Sequence, residues 1–95
     1  MERAWKFKVG DVVRFRTRRG VLMDGKVIGI IPAFVVARTF LRKCGFRNAT
    51  VGMLTSLSTS RRYAIRPVGS KKTKQDYMPC GANIIGLACD CMQLQ

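Results

Sequence analysis

The sequence predicts a single small domain that is mainly β. Its 95 residues are enough for one domain, and 47% of them are hydrophobic, which is enough for a folded core. Between Lys8 and Pro32, two β-rich runs flank a short glycine-containing turn, which is the pattern of a β-hairpin. The alternative fold class is α+β, with a helix near residues 33–44.

The first run of this hairpin alternates between apolar and basic side chains. Successive side chains of a strand point to opposite faces of the sheet. Val13 and Phe15 are therefore expected to face the core. The opposite face then carries a row of arginines, which are Arg14, Arg16 and Arg18. The hairpin thus provides both a core face and a strongly cationic face.

Two positions could form the turn of the hairpin. One is the Arg18-Arg19-Gly20 segment, and the other is Asp24-Gly25, a dipeptide that is common in tight hairpin turns. The second choice would shift the register of the two strands. The sequence does not decide between them.

This opening resembles that of small SH3-like barrels, which include KOW-type and Tudor-like modules of translation, transcription and chromatin proteins. The resemblance extends over about residues 8–40. It rests on the Gly-Asp-Val-Val-Arg-Phe run at 10–15 and on the Gly-Lys-Val run at 25–27. It implies a five-stranded, strongly bent sheet and a nucleic-acid-binding or protein-binding role, and it implies no catalysis.

Residues 32–45 fit either a helix or a strand. A helix would end before Gly45, and its apolar stripe would be Phe34, Ala37, Leu41 and Cys44. A strand through about Phe40 is favoured, because this run is rich in β-branched and aromatic residues and falls where a third barrel strand belongs.

The rest of the single domain divides into segments of different composition. Residues 45–60 are predicted to be an insert, either a hairpin or a helical turn, that packs on the barrel. A strand is expected at 61–67, a basic loop at 69–76, and closing strands near 77–79 and 83–87. Residues 89–95 are expected to be a frayed tail.

The charge balance predicts a polyanionic partner. Eighteen lysines and arginines face five acidic residues, which gives a net charge of +13. Nucleic acid, either DNA or RNA, is the predicted partner, bound through phosphates with little sequence dependence. Trp5 and Tyr63 are candidates for stacking on bases. The candidate phosphate-binding residues are Arg14, Arg16, Arg18, Arg19, Arg38, Arg42, Arg62, Arg66, Lys71, Lys72 and Lys74.

The sequence argues against an enzyme, a cofactor and a metal site. It contains no histidine, the side chain most often used for proton transfer, and its few carboxylates are scattered. The four cysteines lack the C-x2-C spacing of zinc knuckles; Cys44 and Cys80 are expected to be buried thiols. These thiols, Cys44, Cys80, Cys89 and Cys91, are therefore expected to bind no metal.

An intracellular location is expected, either cytoplasmic or in the nucleoid or nucleus, rather than secretion. The chain has no run of about 18 apolar residues, and its first residues contain no apolar signal-peptide core. The rival function is a protein-interaction module. In that case the insert would dock on an acidic surface of a nucleoprotein complex, as a small inhibitor or an assembly subunit does.

Overall fold

A computed structural model describes residues 6–47, 51–55, 57, 59–69 and 75–89. In this part of the chain, four strands form one antiparallel sheet, two short helices follow the second strand, and a 3-10 turn precedes the last strand. The elements are β1 (Val12–Arg16), β2 (Leu22–Ile31), α1 (Arg38–Lys43), α2 (Val51–Thr55), β3 (Arg62–Pro67), the 3-10 turn (Gly81–Asn83) and β4 (Ile84–Leu87). The strand order is β3-β2-β1-β4, which confirms the mainly β prediction.

The β1–β2 hairpin turns at the first of the two positions that the sequence allowed. The Thr17 N–H donates to the Val21 carbonyl at 2.9 Å, and the Val21 N–H donates to the Thr17 hydroxyl at 3.2 Å. Gly20 has a φ of 82°, a left-handed conformation that glycine adopts without a steric penalty. Asp24 and Gly25 therefore lie inside β2, which fixes the hairpin register.

The sheet buries a separate apolar cluster on each face. Val13 and Phe15 are fully buried on one face, here called the inner face, and the arginines of β1 lie on the opposite, outer face. The pairing shifts between Val27 and Gly29 on β2, and such bulges bend a strand. The inner cluster is Phe7, Val13, Phe15, Val27, Tyr63, Ile65 and Ile84, and the outer cluster is Ile31, Ala37, Leu41 and Ala64.

The strand favoured through Phe40 is wrong, because the chain forms α1 there. Ala37 and Leu41, one helical turn apart, are both buried in the outer cluster against β2. Burial of this apolar stripe outweighs the β propensity of the preceding residues. The helix alternative named Phe34 in the same stripe, but that ring lies outside the cluster and is 69% exposed.

Gly45 ends α1, as the helix alternative required. Its φ is 70°, and its N–H donates to the Arg42 carbonyl at 3.2 Å. The Phe46 N–H donates to the Leu41 carbonyl at 3.0 Å, and both side chains belong to the outer cluster. These two bonds and the apolar contact define a Schellman motif, in which a left-handed residue satisfies the last carbonyls of a helix.

The insert contains the helical turn that was one of its two predicted forms. α2 contacts α1, and Leu57 pairs with Val36 in an isolated antiparallel bridge. Leu54 packs against the outer cluster. The insert therefore covers the outer side of the sheet beside α1.

The expected strand near 77–79 is a set of bridges rather than a full strand. Tyr77 and Ile65 exchange backbone hydrogen bonds of 2.8 and 2.9 Å, and Cys80 bridges Arg62. This segment runs beside β3, while β4 pairs with β1 at the other edge.

None of the helices in the described part of the chain is long and apolar enough to cross a membrane.

Candidate nucleic-acid interface

The strand register places basic residues of three strands on the outer face. Arg14 is opposite Asp24, and Lys26 is opposite Arg66. Directly opposed residues of antiparallel strands project to the same side of the sheet, so the basic residues of β1 and β3 share one face. The sequence alone suggested two separate cationic strand faces.

Arg14 is held by an ion pair on this face. Its Nε donates to Oδ1 of Asp24 at 2.9 Å, and its Nη2 lies 3.4 Å from Oδ2. Both side chains are partly buried. The guanidinium is therefore already engaged with a carboxylate and offers less of its charge to a ligand.

Arg66 is held by a second carboxylate, Asp76, whose side chain is fully buried. Nε and Nη2 of Arg66 donate to the two carboxylate oxygens at 3.2 and 3.0 Å. Arg47 adds its backbone N–H at 2.9 Å and its guanidinium at 2.8 and 3.1 Å. Asp76 thus joins the loop after α1 to β3.

The surroundings of Asp76 keep it ionised. Burial by itself would raise the pKa of this carboxyl, but the hydrogen bonds from Arg66 and Arg47 outweigh that effect and hold the pKa below its usual value. The same contact raises the pKa of Arg66. We conclude that Arg66 and Arg47 have a structural role at this carboxylate.

Replacing Asp76 with asparagine is expected to lower the free energy of unfolding by about 1–3 kcal/mol at pH 7, because two guanidinium groups lose their charged acceptor. Because the pKa of Asp76 is lower in the folded state, its ionised carboxylate stabilises the fold at pH values above the unfolded-state pKa of about 4. This contribution is lost as the pH falls through the folded-state pKa. The difference from the unmodified protein should therefore be constant from pH 5 to 8 and shrink below pH 4, as measured by urea unfolding.

The matched control for this variant is Asp11→Asn. The Asp11 carboxylate accepts one hydrogen bond, from the Lys8 N–H at 3.1 Å in an exposed turn, so its replacement should change stability much less. Equal losses for the two variants, or a loss at Asp76 that does not shrink at all below pH 4, would contradict the assigned role of Asp76.

The remaining candidate arginine of β3 also has an internal contact. Nη1 of Arg62 donates to the Met78 carbonyl at 3.0 Å. This contact ties β3 to the segment that runs beside it. Three of the predicted phosphate ligands, Arg14, Arg62 and Arg66, therefore take part in contacts that stabilise the fold.

Six other exposed basic residues form two clusters along the chain, and Lys6, Lys8 and Lys26 are exposed outside these clusters. The hairpin cluster consists of Arg16, Arg18 and Arg19, and the helix cluster consists of Arg38, Arg42 and Lys43 of α1. Within the described residues, ion pairs form at Asp24 and Asp76 and involve none of these six. The two clusters lie at opposite ends of β2, whose ten residues span at most about 33 Å.

The structure does not support Tyr63 as a stacking residue. The ring is 3% exposed and packs edge-on against Phe7, with the ring centroids 5.6 Å apart. Its hydroxyl accepts a hydrogen bond from the Phe7 N–H at 3.4 Å. Alternation along β3 places this ring on the inner face, opposite to the arginines of β1 and β3. The other stacking candidate, Trp5, and the loop candidates Lys71, Lys72 and Lys74 lie outside the described residues.

The cysteines within the described residues lie at separate places in the fold. Cys44 and Cys80 are half-buried rather than fully buried, and Cys89 is exposed. In this part of the chain, no three histidine, cysteine or acidic residues come together in a way that could hold a metal ion. Burial raises the pKa of the Cys44 thiol. The Cys44 side chain lines an open pocket between α1 and β2.

Sequence reasoning missed three residues that shape this surface. Asp24 and Asp76 are scattered in the sequence, yet each engages an arginine of the sheet. A turn at Gly20 would have indicated the Asp24 contact, because it sets Asp24 opposite Arg14. Phe34 belongs to the core in the helix alternative and is instead exposed.

Comparison of the chain with family models, curated proteins and solved structures gave no match.

Proposed function

We propose that this protein binds nucleic acid through its phosphates, with little dependence on sequence. One observation carries the proposal. Each carboxylate of the described residues has a contact within the fold: Asp11 in a turn, Asp24 with Arg14, and Asp76 with Arg47 and Arg66. The six exposed cations of the hairpin and helix clusters are left without internal acidic partners there, and phosphates would supply them.

The hairpin and helix clusters are the proposed contact residues. Five of their six residues are arginines, whose planar guanidinium can bind a phosphate with two hydrogen bonds. Binding would release the counterions condensed on the nucleic acid, which makes the affinity fall steeply with salt. The lysines of the 69–76 loop remain candidates for further contacts of the same kind.

We also propose that the domain is an SH3-like barrel and that it binds rather than catalyses. Support for the barrel comes from the segment at 77–80, which runs beside β3 and gives five adjacent segments in a bent sheet. Support for binding comes from the carboxylates, which hold the fold together, and from the absence of histidine in the sequence. An intracellular location, where nucleic acid is abundant, belongs to the same proposal.

The proposal is tested by a mobility shift with single-stranded and duplex DNA and RNA at 50 and 200 mM salt. If each of the six cations contacts one phosphate, the slope of log K against log salt should be about −4 to −5.5. The affinity should then fall roughly 300- to 2,000-fold between these concentrations. Absence of a shift at 50 mM would overturn the proposal.

A protein-interaction module remains the second candidate, favoured by one observation. Val36 and Leu57 pair across an isolated bridge, yet they are 47% and 59% exposed. Exposed aliphatic neighbours of this kind suit an apolar protein contact. A partner that stays bound to the chain after nuclease treatment would favour this candidate over nucleic acid.

A further inference from the structure

Phe34 is an exposed aromatic residue in an unfavourable backbone conformation. Its side chain is 69% exposed, and its φ is 62°. A bulky residue at a positive φ is a steric outlier. The next residue, Val35, packs against the outer cluster, whereas the Phe34 ring is turned towards solvent. Strained residues of this kind concentrate at ligand-binding positions.

The helix cluster begins shortly after Phe34 in the chain. Arg38 follows Phe34 by four residues, so their Cα atoms are at most about 14 Å apart. Arg42 lies one turn further along the same exposed side of α1. No ion pair in the described part of the chain involves either arginine. An exposed aromatic ring therefore lies four residues before the first of two exposed cations.

We propose that Phe34 stacks on an unpaired base while Arg38 and Arg42 contact the neighbouring phosphates, so that the preferred ligand is single-stranded nucleic acid. This inference rests on the proposed function. Stacking on a protein ring needs a base with a free face, and single strands provide such bases. Every base has such a face, so this contact keeps the binding largely independent of sequence.

The observations favour a nucleic-acid strand over the other occupants of this surface. A second copy of the chain would bring together two net charges of +13. An apolar protein contact would use Val36 and Leu57 as much as Phe34. A base stack uses the planar ring alone, beside cations that carry no acidic partner among the described residues. The experiment below distinguishes an apolar protein contact from a base stack.

The test compares the full chain with Phe34→Leu, which keeps an apolar side chain but removes the ring. A 12-nucleotide single strand and a 12-base-pair duplex are titrated at two salt concentrations. We expect the unmodified protein to prefer the single strand, and Phe34→Leu to lower that affinity about tenfold. The salt slope should not change, because no charge is removed. Phe34→Trp should restore or exceed the original affinity.

Leu57→Ala is the matched control, because Leu57 is similarly exposed on the same surface and has no ring. Its single-strand affinity should equal that of the unmodified protein. In a Trp5→Phe background, Phe34→Trp carries the chain's single tryptophan. Addition of the single strand should quench its fluorescence, and the duplex should quench it less.

Two results would overturn the stacking inference in different ways. If both ligands bind equally and Phe34→Leu has no effect, stacking is wrong while phosphate binding stands, and the exposed apolar residues would fit a protein partner. If neither ligand binds the unmodified protein at low salt, the proposed function fails together with this inference.

Discussion

If the protein binds nucleic acid as proposed, replacing Arg16, Arg18 and Arg19 together with alanine is expected to lower that affinity about 100-fold at 0.1 M salt. Each phosphate contact contributes about 0.7–0.9 log unit of affinity between 1 M and 0.1 M salt, so three contacts contribute about two units or more. The salt slope should become shallower by about 2–3. Mobility shifts over a salt series measure both quantities. The fold should be unaffected, because all three side chains are exposed.

Two variants control for nonspecific effects of this triple substitution. Exchange of the same residues for lysine keeps the charge and should retain most of the salt slope. Removal of the Arg14–Asp24 ion pair as a double alanine variant deletes one arginine at constant net charge, and its salt slope should equal that of the unmodified protein. A triple alanine variant with an unchanged slope would show that the hairpin cluster is only a solvated surface.

Replacing Gly25 with alanine destabilises the protein by about 3 kcal/mol or more. Gly25 lies in β2 against the inner cluster, and an added Cβ would overlap the Ile65 side chain. It would also lie 3.0 Å from the Arg66 carbonyl oxygen and 3.2 Å from the Phe15 ring. Neither β3 nor the fully buried Phe15 has space to retreat, so the sheet must distort. Thermal unfolding should show a midpoint lower by roughly 12–24 °C.

Replacing Gly52 with alanine is instead expected to stabilise the protein. Gly52 lies in α2, and nothing approaches within 4 Å of the position of an added Cβ. Alanine there favours the helix by up to about 1 kcal/mol. If the Gly25→Ala and Gly52→Ala variants had the same free energy of unfolding, this would contradict the close packing of β2 on β3.

The hairpin was predictable because the residues that determine it are close together in the sequence. Alternation along β1 correctly separated Val13 and Phe15 from the arginines. The ion pair between Arg14 and Asp24 follows at once from a turn at Gly20, but Asp24-Gly25 offered a competing turn of equal quality. Local sequence therefore predicted the two strands and left their register open.

The rest of the surface depends on contacts between distant residues. Asp76 lies 29 residues from Arg47 and 10 from Arg66, and no periodic pattern links them. α1 forms where a strand was favoured because Ala37 and Leu41 fit the outer cluster, which depends on β2 and β3 being in place. The exposure of Phe34 follows from a left-handed backbone that the composition of the segment does not indicate.

The contacts of β3 with residues 76 and 77 have a consequence for how the domain can vary. The chain leaves the sheet after β3 and returns where Asp76 binds Arg66 and Tyr77 pairs with Ile65, so the two ends of the intervening segment lie near each other. Doubling the length of such a closed loop costs only about 0.6 kcal/mol in entropy. We therefore expect that changes in the length or sequence of the segment between residues 69 and 76 leave the pairing of the sheet intact.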